Sequence, residues 1–289
     1  MNRTDFFILG DCQDLFYRHV RDLPQHEEAR AFVESLWQRY QGYEDRHFLD
    51  EAKSHFVERF WEMYLAVTLL NRGLHLVRSR DVGPEFYFVH HGQKVWVEAV
   101  APGPGEGEDR VPEIELGKAY AVPTEKILLR FTNALAEKRS RYLDAVAKKI
   151  VQQDDLYLLA INSRRIPHAP FGNTLPFFVQ AFLPLGNLTL VLDKTTRKIS
   201  DSFYQRRDAV RKASGAAVNT NSLLDTQFAF VSGVLHSAAD CVNRPPALGG
   251  DFMVLHNPTA AHPLEDSLFA WCEQMLYRND ALERIPEGG

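Results

Sequence analysis

The sequence predicts an α/β domain, a mixed central sheet flanked by helices, with a helical extension in front of it. Three observations predict this. Residues 56–73, FVERFWEMYLAVTLLNRG, are apolar on two helical faces, the mark of a helix covered on both sides. Residues 155–162, DLYLLAIN, form a short, nearly continuous apolar run, as a strand in the middle of a covered sheet does. A long helical pattern over residues 124–152 separates these two signals, and strands alternating with helices build α/β folds. The helical extension is placed at residues 1–55, and the α/β domain with a C-terminal elaboration at 56–289.

The elements follow in order. EEARAFVESLWQRYQGY reads as a helix, with Ala29, Phe32, Leu36 and Tyr40 at helical spacing. In residues 56–73 one face carries Phe56, Phe60, Met63, Tyr64, Val67 and Leu70, a second carries Leu65, Ala66 and Leu69, and Asn71 and Gly73 stop the helix. LHLVRS (74–79) reads as a strand. GPEFYFVHHGQKVWVEAV (83–100) reads as two strands around a turn at His91-Gly92-Gln93. Residues 101–113 hold three prolines, three glycines and four acids, a loop and a candidate lid. Thr124 is the expected N-cap of the helix over 124–152, whose stripe is Ile127, Phe131, Ala134, Leu135 and Tyr142. A loop is expected at 162–176, then a short apolar segment, a strand and a turn over 178–200. Residues 202–215 read as a basic helix closed by Gly215, 228–238 as a strand feeding a helix or turn, and 251–258 as the final strand.

Composition narrows the function. The formal net charge is -5, so nucleic acid would have to be met by a local basic patch rather than an overall basic surface. Cys12, Cys241 and Cys272 are odd in number and widely spaced, which argues against a disulfide framework or a structural zinc site and for a reducing cytoplasm. The first residues, MNRTDFFILGDCQD, are too acidic for a signal peptide, and no stretch is apolar enough to span a membrane. GxSxG and GxxxxGK[ST] are absent, which sets aside a nucleophile elbow and a phosphate-binding loop. His90 and His91 sit at the hairpin turn; since adjacent strand residues point to opposite faces, they are read as turn polarity rather than joint metal ligands.

Glu62 lies in the helix of 56–73, Pro84-Glu85 opens the first hairpin strand, and Glu98-Ala99-Val100 closes the second. This order and these residues resemble the PD-(D/E)XK nuclease superfamily, the restriction-endonuclease-like fold, over about the middle third of the chain. The C-terminal GGDFMVLHNPTAAHPL is similar to bacterial proteins related to that superfamily. The resemblance implies a restriction-endonuclease-like mixed central sheet and a metal-dependent nuclease acting on DNA. It implies Mg²⁺ or Mn²⁺ held by Glu85 and Glu98 with Glu62 assisting, since hard cations take carboxylate oxygens and activate water.

The chain departs from the family pattern at two positions. Glu85 stands where the family usually has Asp, and Val100 where it has Lys. At 100° per residue, Lys138 falls in the middle of the apolar stripe of 124–152. A lysine on a packed face needs a partner, and the two strand acids would supply one. Lys138 is therefore expected to replace the motif lysine, completing a catalytic set of Glu62, Glu85, Glu98 and Lys138. Arg130 and Arg141 flank the stripe, Arg164 and Arg165 follow the central strand, and Arg206, Arg207 and Arg211 form a basic cluster; all seven are candidate phosphate contacts. The other function class is a catalytically inactive nuclease-fold protein that binds nucleic acid or a protein partner, which the missing motif lysine favours.

Overall fold

The computed structural model describes residues 4–79, 83–115, 117–119, 121–171 and 175–288. Three helices lead, α1 (Leu15–Asp22), α2 (Glu27–Tyr40) and α3 (Phe48–Ala52). The order expected across 56–162 then follows. It runs α4 (Phe56–Asn71), a two-residue strand β1 (Val77–Arg78), the hairpin β2 (Phe86–His90) and β3 (Gln93–Val100), α5 (Thr124–Ala147), and β4 (Leu156–Asn162). The remainder supplies α6 (Phe177–Phe182), β5 (Leu185–Leu192), β6 (Ile199–Arg206), β7 (Ala209–Arg211), β8 (Ala217–Asn219), β9 (Gly233–Ser237), β10 (Met253–His256), β11 (Glu273–Arg278) and β12 (Ala281–Ile285).

One mixed sheet of eight strands runs in the order β1-β2-β3-β4-β9-β10-β11-β12, while β5 pairs with β6 and β7 with β8 as separate ribbons. β3 and β4 are parallel, and α5 is the crossover that such neighbours require. All seven residues of β4 are buried, in keeping with its unbroken apolar sequence. Alternation along the strands divides two cores. Val95, Val97, Leu158 and Ala160 pack beneath α4, and Leu159 and Ile161 beneath α5 and α6. The first core is continued by Tyr17, Trp37, Tyr40 and Phe48, so the helices of 1–55 and the sheet share one apolar cluster. Full burial of each such side chain contributes about 2 kcal/mol. Trp61 also donates its indole N–H to the Ala160 carbonyl at 3.1 Å, fixing α4 over β4.

Several expectations are corrected. Residues 202–215 are not a helix; they finish β6 and form β7, and Gly215, at φ +85, serves the β7–β8 turn. Phe203 and Tyr204 are strand-favouring residues, and they pair with Thr189 and Leu188 of β5. Residues 251–258 are not the last strand: β11 adds parallel to β10 and β12 folds back on it. The C-terminal third thus completes the sheet. Thr124 is the first helical residue, and Pro123 takes the cap position with no side-chain cap. The strand expected over 74–79 contracts to β1, and the apolar segment before β5 is the helix α6. Residues 172–174 of the expected loop lie outside the described residues. No helix among the described residues is long and apolar enough to cross a membrane.

Candidate functional site

The hairpin brings the two strand acids together. His91 and Gly92 both have positive φ, +46 and +84, the sense of a tight two-residue hairpin turn. That turn fixes the register Phe86↔Val97 and Tyr87↔Trp96. One step further along, Glu85 lies beside the end of β3, and its Oε2 accepts the Ala99 N–H at 2.7 Å. Cross-strand neighbours share a face. Tyr87 and Trp96 mark this one, packing with Tyr142 and Ala145 of α5.

The α5 stripe is buried as expected, and Lys138 is buried with it at 6% exposure. Its Nζ pairs with Oε1 of Glu98, which is 2% exposed. The Tyr157 hydroxyl donates to the other oxygen of Glu98 at 3.2 Å. Arg141 Nη1 stands 3.9 Å from Glu98 Oε1, with its side chain 72% exposed. The geometric half of the Lys138 expectation is met: the ammonium points at the strand acids and not into solvent. A buried ion pair of this kind gives little net stability, because desolvation offsets attraction, but removing one partner strands the other.

Burial pushes the Glu85 carboxyl up to about 8, the Glu98 charge pushes in the same direction, and Lys138 pulls against both. The Tyr157 phenol is also raised well above its ordinary value, first by burial and then by Glu98. Glu85 is therefore held largely protonated near neutral pH, beside the Glu98–Lys138 pair. The cavity beside them, about 360 Å³, opens between α4, α5 and the loop after β3, and its lining includes Glu62, Glu85, Val100 and Lys138.

Glu62 reaches the cavity from α4, on the other side of the sheet. Its Oε1 accepts from the Tyr40 hydroxyl at 2.6 Å and Arg78 Nη1 at 3.1 Å, and its Oε2 from Arg59 Nη1 at 2.6 Å. Both oxygens are thus already engaged by a phenol and two guanidinium groups. Among the described residues, the one group of three candidate ligands closing to within 4.8 Å is His90, His91 and Glu265, not the three glutamates.

The arginines divide. Arg130 and Arg141 line the cavity. Arg130 Nε donates to the Gly103 carbonyl at 2.9 Å, and Arg165 pairs with Glu58 and donates to the Ala101 carbonyl at 3.3 Å. The candidate lid is therefore fastened at its start. Arg165 also lines a second cavity beyond Gly103, with Arg130. Arg164 is tied to Asp240. The expected cluster of Arg206, Arg207 and Arg211 is not one helical face. Arg206 is bidentate to Asp208, Arg207 turns inward to the Gln180 and Leu185 carbonyls, and Arg211 donates to the Gly215 carbonyl. The strand geometry of β6 and β7 splits them.

Sequence reasoning missed Tyr157, Tyr40, Arg59 and Arg78. Tyr157 carried a signal: a tyrosine within a fully buried strand must find a partner for its hydroxyl. Comparison with known protein families, with curated proteins and with solved structures finds no match.

Proposed function

We propose that this protein is a metal-dependent phosphodiesterase, a nuclease acting on DNA, with the restriction-endonuclease-like fold in α4, β1–β3, α5 and β4. The observation that supports it most is the buried Lys138–Glu98 pair beside Glu85, with Lys138 and Glu85 at the wall of an open cavity and Glu98 behind them. The donor set fits Mg²⁺ or Mn²⁺. Glu85 and Glu98 offer hard oxygens, and among the described residues Glu85 Oε1 carries no hydrogen bond. A divalent cation would bind by displacing the proton that the raised Glu85 carboxyl holds near neutral pH. Bound there, the metal would lower the pKa of a water and stabilise charge on the phosphodiester.

In this reading Lys138 stands in for the motif lysine that Val100 displaces: it orients Glu98 and faces the charge developing on the phosphate. Glu62 assists by fixing Arg59 at the cavity wall. Arg130, Arg141 and Arg165 offer cationic contacts to the DNA backbone. The net charge of -5 goes with weak non-specific binding. The three free cysteines suit a reducing cytoplasm. One observation favours the second reading, a non-catalytic nuclease-fold protein that binds nucleic acid or a protein: both oxygens of Glu98 already have partners.

The test is cleavage of plasmid and single-stranded oligonucleotides with Mn²⁺ or Mg²⁺, comparing the wild type with Glu98→Gln and Lys138→Met. A loss of at least ~100-fold in both variants is expected, the scale on which removing one charge-stabilising group acts. Loss in Glu98→Gln alone removes the role of Lys138. No cleavage with either metal shifts the assignment to the binding protein.

A further inference from the structure

We propose a second metal site, for zinc or a neighbouring first-row divalent ion, formed by His90, His91 and Glu265. It is independent of the site above and shares no residue with it.

The sequence argues against His90 and His91 acting together, since neighbours on a strand face opposite ways. The structure removes that objection. His90 is the last residue of β2, and His91 is already in the turn at φ +46. The alternation ends there, and both rings swing to one side, stacked with centroids 4.1 Å apart. Glu265 meets them from 174 residues further along the chain.

The spacing is that of a ligand set. His90 Nε2 lies 3.3 Å from Glu265 Oε2, and His91 Nδ1 lies 3.0 Å from the same oxygen. Two ligands about 2.0–2.2 Å from a tetrahedral zinc are themselves about 3.3 Å apart. One ligand atom from each residue falls within 4.8 Å of the others. The ion replaces the shared protons with little movement.

Both segments are held. His90 pairs with Gln93 across the hairpin. Glu265 stands between Leu264 and Leu268, both buried, and its carbonyl accepts the Leu268 N–H at 3.1 Å. Two imidazoles and one carboxylate select zinc, copper or nickel over Mg²⁺ or Ca²⁺. The His91 and Glu265 side chains are 69% and 50% exposed, so the fourth position faces solvent. The ion would act as a staple, joining the tip of the hairpin that carries Glu85 and Glu98 to the segment that leads into β11.

The test is a zinc titration of the full chain by calorimetry, with Co²⁺ absorption to report coordination number. The variants are His91→Asn, which tolerates the left-handed turn, Glu265→Gln, and Glu98→Gln as the control for the other site. The expected result is one zinc equivalent that survives Glu98→Gln, weakens more than ~100-fold in His91→Asn and Glu265→Gln, and raises the melting temperature of the wild type and Glu98→Gln but not of His91→Asn or Glu265→Gln. Zinc binding unchanged in His91→Asn overturns the proposal. So does an absence of zinc binding in the Glu98→Gln protein, which would leave these residues a hydrogen-bonded cluster only. Zinc that binds the wild type but not Glu98→Gln would belong to the Glu85 and Glu98 site instead.

Discussion

Replacing Lys138 by Met keeps the apolar stem and removes the charge. Glu98, 2% exposed, is left with the Tyr157 hydroxyl and the mostly exposed Arg141 guanidinium 3.9 Å away. Breaking a buried pair by removing one partner costs about 3–5 kcal/mol. For a chain of 289 residues, about 2.1 cal/mol/K of unfolding entropy per residue gives about 0.6 kcal/mol/K, so the melting temperature falls by about 5–8 °C. The loss depends on pH. Without the ammonium, which pulls the Glu85 carboxyl down, that carboxyl titrates higher still in the folded state. An acid whose folded pKa is raised contributes stability below its unfolded pKa and loses it as pH rises through the folded one. For Glu85 these limits already stand at 4.5 and about 8. The Glu85 share of the destabilisation should therefore be absent near pH 5 and develop above about pH 8, where the wild-type carboxyl ionises before the variant's. Urea unfolding at both pH values measures it, and adding Glu98→Gln to Lys138→Met should recover part of the loss. A melting shift under about 2 °C that ignores pH would refute the reasoning, because it would mean that the ammonium is solvated.

The other predictions are these. Glu85→Gln removes a strained carboxylate, so unfolding in urea should show the variant gaining stability over the wild type as pH rises through about 8, with no gain near 4.5. Mn²⁺ should narrow that difference by stabilising only the wild type, which a melting titration at pH 9 checks. Tyr157→Phe deletes the donor to Glu98 and should cost about 1.5–3 kcal/mol, as bonds to charged groups do; chemical denaturation measures it. Gly233→Ala would place a methyl 2.6 Å from Leu264 Cδ1 and 3.1 Å from the Leu255 carbonyl. Overpacking β9 in this way should cost about 1–3 kcal/mol, read from the shift in denaturation midpoint.

Much of the fold was legible where one periodicity ran undisturbed. The two apolar faces of α4, the stripe of α5 and the unbroken run of β4 each report covering on known sides, and Lys138 stood out because it interrupts a stripe. The parts that were not legible depend on partners distant in sequence. The clamp on Glu62 draws Tyr40, Arg59 and Arg78 from three segments, and no local pattern announces such a convergence. Residues 202–215 carry arginines at spacings that fit a helix, yet pairing with β5 makes a strand of their first half. His90 and His91 show the same limit: strand alternation holds only while the backbone is a strand, and at φ +46 it has ceased to be one.

The central position of β4 has a consequence for synthesis. Its partner on one side, β3, precedes it, but its partner on the other, β9, begins only at Gly233. At about 5–20 residues per second, the intervening stretch of about 70 residues takes several seconds to emerge. Throughout that interval the nascent chain holds all of Glu85, Glu98 and Lys138 while the far edge of β4, every residue of which ends buried, lies bare. An apolar strand with one open edge is a template for pairing with another copy. The chain is then most exposed to aggregation just after its site can assemble, and slower passage through residues 163–232 lengthens the hazard without altering the finished fold.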